Sequence, residues 1–578
     1  MRHLLRTYLV AAAIAPAIAS AQSADLILHH GRIYTVDDAK PFGTALVVRG
    51  DRVVFVGSDA EAATFGGKAT KIIDLAGFTV LPGFADAHIH VLGVGQALRR
   101  VDLVGVKTYE EVVARVVARS KEMKPGEWIL GRGWDQNLFP SREFPTHDAL
   151  SRALPNNPVV LTRIDGHALL ANEKAMSLAG VTAKTKDPVG GRIVRDASGN
   201  PTGVFVDNAK DLVDRAVPPS SHEELKKALV AAVANLNSWG LTSAHDAGEG
   251  QKVTGIYEEL ARANELTIRS YVMLSDPDVS DAASWAKSTN PFIRRGPQSA
   301  LYNGHLWVRA IKLYADGAMG SRGAALLAPY SDDQGNTGLL VSTPEHIEGT
   351  AGMALKNGFQ VNVHAIGDRG NRIVLDAFDA ALRKFPRADH RFRIEHAQTL
   401  SPSDIPRFAK LGAIPSMQSS HQTSDMGWVE RRLGPERVKG AYAWRSLLET
   451  GVIIPNGTDA PVERVNPFIT FHSAITRQSP DNSPAGGWYA DQKMTRGEAL
   501  KSMTIWPAYA AFQEKTMGSL AAGKYADFVI LSQDIMRVPE TDIMKTTVVG
   551  TYIGGKAVYA NVSWGDKVPG VALTKTAR

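Results

Sequence analysis

Two histidines stand one residue apart at the end of an apolar stretch, in the segment LPGFADAHIH. Side chains at positions i and i+2 of a β-strand point to the same face, so His88 and His90 can both reach one metal ion. The chain has no cysteine, so any such site must be built from His, Asp, Glu or a modified Lys. The pair alone is equally compatible with two histidines that form local hydrogen bonds.

Four further polar side chains occur within or at the end of strand-like segments. Lys312 lies inside VRAIKLYADG, His364 ends QVNVH, His396 ends FRIEH, and Asp459 follows GVIIPNGT. Each has a simpler interpretation: a hydrogen-bonded core histidine, a lysine paired with a carboxylate, or an aspartate in a turn or helix cap. All of those interpretations must hold together to explain the pattern, whereas one metal site explains it in a single step. The sequence therefore favours a metal site.

Parallel strands are the elements that would bring these side chains together. The middle of the chain alternates short apolar strands with helical patterns, which indicates an α/β fold with a parallel array. Eight such units predict a (β/α)8 TIM-like barrel, in which all C-terminal strand ends meet on the face that carries active sites. The eight candidate strands are 79–90, 240–248, 267–274, 308–317, 358–367, 391–398, 412–421 and 451–461.

Both ends of the chain are rich in short β-patterns. Residues 22–78 and 506–578 therefore predict the two halves of one small composite β-sandwich, and residues 79–505 the barrel. The gap after the first barrel strand is far longer than one βα unit requires. An inserted α/β subdomain is expected at about 103–235.

The first residues have the pattern of an export signal. A basic start, a short apolar run and small residues before Gln22 predict a signal peptide over 1–21, cleaved after Ala21, and a periplasmic or secreted protein. No stable membrane span is expected after cleavage. The net charge of +6 is not gathered into a basic tract, which argues against nucleic-acid binding. The expected partner is a small-molecule substrate, and a homodimer is a reasonable expectation for an enzyme of this size.

The motifs also occur in a distinctive order. The set resembles the amidohydrolase superfamily over essentially the whole mature chain, specifically the YtcJ-like branch (amidohydrolase family 3) that includes N-substituted formamide deformylases. The segments that carry the resemblance are LPGFADAHIH, EWILGRGWDQN, GHALLANEKA, IKLYADGAMGSRGAAL, VNVHAIGDRGNRIVLDAF, RIEHAQ, SMQSSHQTSDMGW, NGTDAPVERVNPF and GSLAAGKYADFVIL.

The resemblance implies a ligand set. His88 and His90 would bind the more buried ion, and His364 and His396 a second one, with an N-carboxylated Lys312 as the bridge between them. Asp459 would bind metal and act as the general base on the attacking water. Imidazole and oxygen ligands suit Zn²⁺, the favoured metal, with Mn²⁺, Fe²⁺ or Co²⁺ as substitutes. The site would hold either one ion or two, and Lys312 would be carboxylated only if two ions are bound.

Four residues are candidates for substrate binding. His167 would polarise a carbonyl or hold an amide, Arg322 would hold a carboxylate, and Trp134 and His421 would line the pocket. The alternative for each is a structural role, such as a turn, a local ion pair, or packing of the insertion on the barrel. Aromatic side chains in this region (Trp128, Trp134 and Trp428) are compatible with an apolar or aryl substituent on the substrate, or with packing alone.

The expected function is hydrolysis of a non-peptide C–N bond, in an N-substituted amide or formamide. The same site would equally suit a lactonase, a cyclic amidase or a deaminase, because fold and ligand set do not determine the substrate. A catalytically silent binding protein on this scaffold is disfavoured, since all six expected ligands are present.

Overall fold

The computed structural model describes residues 23–275 and 277–564. The predicted signal peptide, residues 1–21, lies outside the described residues. Within the part that is described, no helix has both the length and the apolar character needed to cross a membrane.

A parallel sheet forms the centre of the molecule. Its strands are rich in Val, Ile, Leu and Ala and are buried on both faces, as expected where helices cover the outside of a closed sheet. A short antiparallel strand, Gln298–Ala300, is added to its fourth member. In spatial order the seven parallel strands are Phe84–Ile89, Leu241–Glu249, Arg269–Ser275, Leu306–Tyr314, Gln360–Ala365, Arg393–His396 and Ile414–Ser416.

An irregular segment, residues 454–460, fills the position of an eighth strand. On one side the Met417 amide donates to Pro455 O at 2.9 Å, and Gly457 N donates to Met417 O at 3.0 Å. On the other side Ala87 N donates to Asn456 O at 3.1 Å, and the Asp459 amide to His88 O at 2.7 Å. The segment therefore joins the last parallel strand to the first and nearly closes the barrel.

Helices cover the outside of this barrel. Several begin at a side-chain cap; for example, Ser221 and Glu224 form a capping box at the start of the helix His222–Ser238. The helices of the barrel domain are Val91–Ala97, His222–Ser238, Gln251–Arg262, Ala282–Lys287, Pro291–Arg295, Leu301–Gly304, Pro344–Asn357, Asp368–Lys384, Ile405–Leu411, Ser419–Asp425, Val429–Arg437, Trp444–Leu448, Pro467–Thr476, Arg496–Ser502 and Ile505–Ala510.

Two further sheets form the β-sandwich, and only one of them is composite. A four-stranded sheet is entirely N-terminal (Leu26–His29, Ala45–Arg49, Arg52–Gly57 and Lys71–Asp74), and the helix Asp59–Ala63 lies within this region. A six-stranded sheet combines both ends of the chain (Arg32–Tyr34, Phe42–Gly43, Thr79–Pro82, Phe528–Leu531, Val548–Ile553 and Lys556–Ala560). Apolar side chains of both sheets share one core cluster, so the sheets pack face to face.

The insertion follows the first barrel strand and has its own sheet and cores. Four helices accompany this sheet, at Tyr109–Ser120, Asp148–Ala153, Glu173–Leu178 and Asp211–Asp214. Its six strands are Val101–Asp102, Ile129–Trp134, Val159–Arg163, Ala168–Ala171, Gly191–Arg195 and Pro201–Asp207. Together with the barrel and the sandwich, it confirms the predicted fold class.

Several boundaries differ from the sequence-based prediction. The segment 79–90 is two strands separated at Gly83, and Thr79–Pro82 pairs in the composite sheet rather than in the barrel. Most of the helix His222–Ser238 falls within the range predicted for the insertion, but the helix packs on the barrel helix Val91–Ala97. The segment predicted as a strand at 412–421 contains a three-residue strand followed by the start of the helix Ser419–Asp425. The segment 451–461 lacks regular strand pairing, because Pro455 has no N–H and Asp459 has a left-handed backbone (φ 54°).

Candidate metal centre

His88 is completely buried at the end of the first barrel strand and is oriented by a carboxylate. Its Nδ1 lies 2.5 Å from Oε2 of Glu395, and Glu395 is in turn held by Arg393, with Nε at 2.7 Å from Oε1. Burial alone would raise the pKa of Glu395, but the charges of Arg393 and His88 lower it far below its usual value. The imidazole therefore turns its Nε2 towards the centre of the barrel mouth, as metal-binding histidines do.

Asp459 approaches both histidines of the pair from the barrel-closing segment. Its Oδ1 lies 3.5 Å from Nε2 of His88 and 3.1 Å from Nε2 of His90. Burial alone would raise the pKa of Asp459, but hydrogen bonds from His421 and His90 hold it well below its usual value. The carboxylate is thus ionised, which is the form that binds a cation or accepts a proton.

Lys312, His364 and His396 lie beside this group. The ring centroid of His396 is 4.7 Å from that of His88 and 4.6 Å from that of His364. Lys312 is fully buried, with Nζ 3.8 Å from the ring centroid of Tyr314. Burial lowers the pKa values of His364 and His396 well below 6.5, which keeps both imidazoles neutral and able to bind metal.

His421 is held between two carboxylates. Its Nδ1 is 3.1 Å from Oε1 of Glu463, and its Nε2 is 3.3 Å from Oδ2 of Asp459. Burial alone would lower the pKa of His421, but these two partners raise it to about 10. Both ring nitrogens therefore contact carboxylate oxygens in this structure.

These side chains fit a divalent cation. Among the described residues, two sets of three could each place ligand atoms within 4.8 Å of one another at this position: His88, His90 and Asp459, and His396, His421 and Asp459. Among the described residues, the buried Nε2 of His88 has no hydrogen-bond partner. A metal ion bound to this nitrogen would satisfy it. His364, expected as a ligand of the second ion, belongs to neither set, and its Nε2 lies 3.5 Å from Gly317 O and 3.7 Å from Asp316 Oδ1.

A cavity of about 410 Å³ opens above the centre, and the insertion provides part of its wall. All six expected ligands line it, together with His167 and His421. The apolar side chains in its lining include Leu138, Ile164, Met319, Trp428, Val462 and Ile469. A volume of this size is typical of a small-molecule site.

His167 is carried by the insertion and reaches the centre beside His364. Its ring centroid lies 5.0 Å from that of His364. Its Nδ1 is 2.7 Å from Oδ1 of the buried Asp207, whose own backbone is left-handed (φ 50°). This contact fixes the orientation of the ring and leaves Nε2 as the ring nitrogen that faces a ligand.

Two predicted substrate contacts lie elsewhere. Trp134 is buried in the core of the insertion, where its Nε1 donates to Leu161 O at 2.7 Å, because its strand position points inward. Arg322 pairs with Asp332 at 3.2 Å and does not line the cavity. Arg163 and Arg464 are the arginines at the cavity wall, and Arg163 is already bonded to Asp135 and Asp165.

Sequence reasoning missed the side chains that orient the histidines. Glu395 lies two residues after Arg393, on the same face of the strand, and it meets His88 there. Gln418 holds His396, with Oε1 at 2.7 Å from Nδ1. The glutamate in RIEH was a usable signal, since a buried carboxylate between an arginine and a histidine indicates a supporting role; nothing local to Gln418 indicated its contact.

Comparison with known proteins agrees with this geometry. The model of the amidohydrolase family matches residues 71–559. The chain belongs to the amidohydrolase family. This amidohydrolase is 35% identical to the protein LONG AFTER FAR-RED 3 of Arabidopsis thaliana over 93% of the chain and 92% of that protein. It is 32% identical to the putative amidohydrolase YtcJ of Bacillus subtilis over 92% of the chain and 99% of that protein.

Two further similarities concern chemistry and structure. An N-substituted formamide deformylase of Arthrobacter pascens is 28% identical over 93% of the chain and 99% of the relative. The crystal structure of an uncharacterized metal-dependent hydrolase from Pyrococcus horikoshii has a TM-score of 0.70 and 28% identity, covering 89% of this chain and 99% of that one. The amidohydrolase is therefore a hydrolase, and the His and Asp cluster supports a divalent metal at its barrel mouth.

Proposed function

We propose that the protein hydrolyses a non-peptide C–N bond in an N-substituted amide or formamide. The observation that carries the proposal is the position of Asp459, an ionised carboxylate that lines the cavity and contacts the His88 and His90 pair. The similarity to an N-substituted formamide deformylase supports the choice of bond.

The donor set favours Zn²⁺ as the metal. A bound divalent ion would lower the pKa of a water and polarise the scissile carbonyl. His88, His90, His364, His396 and Asp459 would hold one ion or two. N-carboxylation of Lys312 would convert a buried cation into an oxygen donor beside these histidines and would accompany the version with two ions.

Asp459 would carry out the proton transfers of the reaction. Asp459 accepts the proton of the attacking water and then delivers it to the leaving nitrogen, because its Oδ1 lies at the centre and its charge is maintained by the neighbouring imidazoles. His421 bonds the second oxygen of Asp459 and links it to Glu463, which keeps the carboxylate in one orientation.

Substrate positioning falls to His167 and the apolar side chains of the cavity lining. The Nε2 of His167 is placed to hydrogen-bond the substrate's carbonyl or amide, since Asp207 engages its Nδ1. The side chains of Met319, Trp428 and Ile469 would receive an apolar or aryl substituent on nitrogen.

A release assay tests the choice of bond. Purified metal-loaded protein would be incubated with N-benzylformamide, N-benzylacetamide, a hydantoin, an aryl lactone and adenine, with formate, amine, acid and ammonia measured separately. We expect turnover of the N-substituted formamide or amide with release of the amine. Turnover of the lactone alone, or ammonia release from adenine alone, would contradict the proposal.

A further inference from the structure

A second cavity, of about 330 Å³, lies where the insertion meets the barrel, and none of its lining residues lines the metal centre. We propose that this cavity binds a small organic anion, a carboxylate, phosphate or sulfate joined to an aryl or alkyl group. The proposal does not depend on the proposed hydrolytic reaction.

Positive charge is in excess in this cavity. Arg99 and Arg100 follow the barrel helix Val91–Ala97, and Arg119 comes from the insertion helix Tyr109–Ser120. Glu224 is the acidic side chain among the lining residues, and its Oε2 is used by the Ser221 backbone at 2.9 Å and hydroxyl at 2.8 Å. Three guanidinium groups thus face one carboxylate that already caps a helix.

Of the three arginines, Arg100 is the one best placed to bind an anion. It is partly buried, and its side chain donates to a neutral acceptor, Oε1 of Gln96, at 3.3 Å. The charge of Asp214 acts on Arg100 from nearby, but burial outweighs it and lowers the pKa of the guanidinium. Arg119, by contrast, is exposed and paired with Glu122. A guanidinium that is removed from water without a bonded carboxylate is unfavourable, and an anion in the adjacent cavity would compensate it through charge-assisted hydrogen bonds.

Besides Gln96 and Ser220, the remaining lining residues are apolar, and they define the other half of the ligand. Trp128 and Leu130 come from the insertion strand region, Met123 from the turn before it, and Leu225 from the helix His222–Ser238. A bare inorganic anion would leave this surface in contact with water, whereas an aryl or alkyl group would cover it. The cavity therefore suits an amphiphilic anion better than phosphate alone.

Calorimetric titration of the metal-loaded full-length protein with phenyl phosphate tests the proposal at low ionic strength. We expect saturable binding that is weakened at least about tenfold by Arg99→Gln and by Arg100→Gln, the effect of losing a charge-assisted hydrogen bond. Trp128→Leu should reduce the affinity for phenyl phosphate to that for inorganic phosphate. The matched control is Arg115→Gln, on the same helix as Arg119 but paired with Glu111 outside the cavity, and it should bind as the wild type does.

Three outcomes would overturn the proposal. The first is a wild-type protein that does not bind phenyl phosphate. The second is wild-type affinity in both arginine variants, which would place the probe elsewhere, and the third is equally tight binding of benzyl alcohol, which would remove the requirement for an anion. Arg99 is exposed, so Arg99→Gln should remain folded, and its unchanged thermal unfolding would establish that any loss of binding is local.

Discussion

Individual side chains at the barrel mouth are supported by contacts made over long sequence distances. His88 depends on Glu395 and Arg393, and His396 on Gln418. His396, Ala397 and Asp459 all have left-handed backbones, with φ values of 73°, 42° and 54°. Such conformations are unfavourable for residues other than glycine and are found where the surrounding structure holds functional side chains in place.

Replacement of Asp459 by Asn tests the general base. The variant should lose roughly 10²–10⁴-fold in kcat, because the amide cannot accept the proton of the attacking water. Its thermal unfolding should be close to that of the wild type, since Asn keeps the shape of the side chain. Asp211→Asn, an exposed helix position, is the matched control and should keep wild-type kcat. A fully active Asp459→Asn would exclude the carboxylate as the base.

Replacement of His167 by Gln tests substrate positioning. We expect kcat/KM to fall roughly 10²-fold, the size of effect seen when one pre-positioned hydrogen-bond donor is removed. Metal content should not change, because His167 is not in either candidate ligand set. His147→Gln, on a different part of the insertion and bonded to Ser151, should have wild-type kinetics. If metal content falls together with activity, His167 is a ligand rather than a substrate contact.

At the scale of elements, the barrel depends on the close approach of the closing segment to its first strand. A Cβ built on Gly457 would lie 2.4 Å from the His88 amide nitrogen, so only glycine allows this contact. Because Asp459 follows two residues later, the same approach places the carboxylate beside His88 and His90.

Gly457→Ala should therefore damage both stability and the metal centre. We expect a loss of about 1–3 kcal/mol in the free energy of unfolding, as for an overpacked site, and weaker metal retention during dialysis. Gly497→Ala is the control: it lies in the helix Arg496–Ser502, where an added Cβ would meet no neighbouring atom within 4 Å, so it should be neutral or slightly stabilising. Equal stability and metal content in the two variants would contradict this explanation of barrel closure.

An ion pair between two helices gives a pH-dependent contribution to stability. Arg445 donates to both oxygens of Glu498, at 3.0 and 2.6 Å. These hydrogen bonds, with smaller contributions from the amide and hydroxyl of Thr495, lower the pKa of Glu498 to about 2 from an ordinary value of 4.5. A carboxylate with a lowered pKa stabilises the folded state above its ordinary pKa, and the contribution disappears as the pH falls through the folded value.

Glu498→Gln should accordingly be less stable than the wild type above about pH 5, by about 1 kcal/mol after allowance for solvent screening of this partly exposed pair. The difference should shrink between about pH 5 and pH 2 in urea unfolding measured at a series of pH values. Glu436→Gln, which removes an exposed pair with Lys439, serves as the control and should show a smaller difference. A difference that is constant with pH would contradict the ionic origin.

For the whole molecule, the architecture could be predicted from the sequence more fully than the details of the centre. The barrel and the insertion follow from the alternation of strand and helix patterns, and the sandwich from short β-patterns at both ends of the chain. The C-terminal ends of the first six predicted barrel strands lie within three residues of the observed ends. The segment 454–460, which closes the barrel, was predicted as part of a regular strand but is irregular. Pro455 and the left-handed backbone of Asp459 interrupt strand pairing, and apolar periodicity does not reveal this. Trp134 and Arg322 were misassigned because their bonding partners, Leu161 and Asp332, are set by tertiary packing.

Export is a prediction that also belongs to the whole molecule. We propose cleavage after Ala21, so the mature protein recovered from the periplasm or medium should begin at Gln22. N-terminal sequencing of that fraction from the expressing cells checks the position. Replacing the apolar run with charged residues should keep the protein inside the cell, and unchanged export of that variant would contradict the signal.

A divalent metal held by the His and Asp cluster is central to the proposed activity of this amidohydrolase. The most direct measurement is a titration of chelator-treated protein with Zn²⁺ in which bound metal and amine release from an N-substituted formamide are followed together. We predict that activity is lost on chelation and returns in proportion to metal bound, saturating at one or two equivalents, and that a His88→Asn, His90→Asn double variant recovers neither. Full activity without metal, or metal binding by that variant at the wild-type level, would contradict the metal-dependent mechanism.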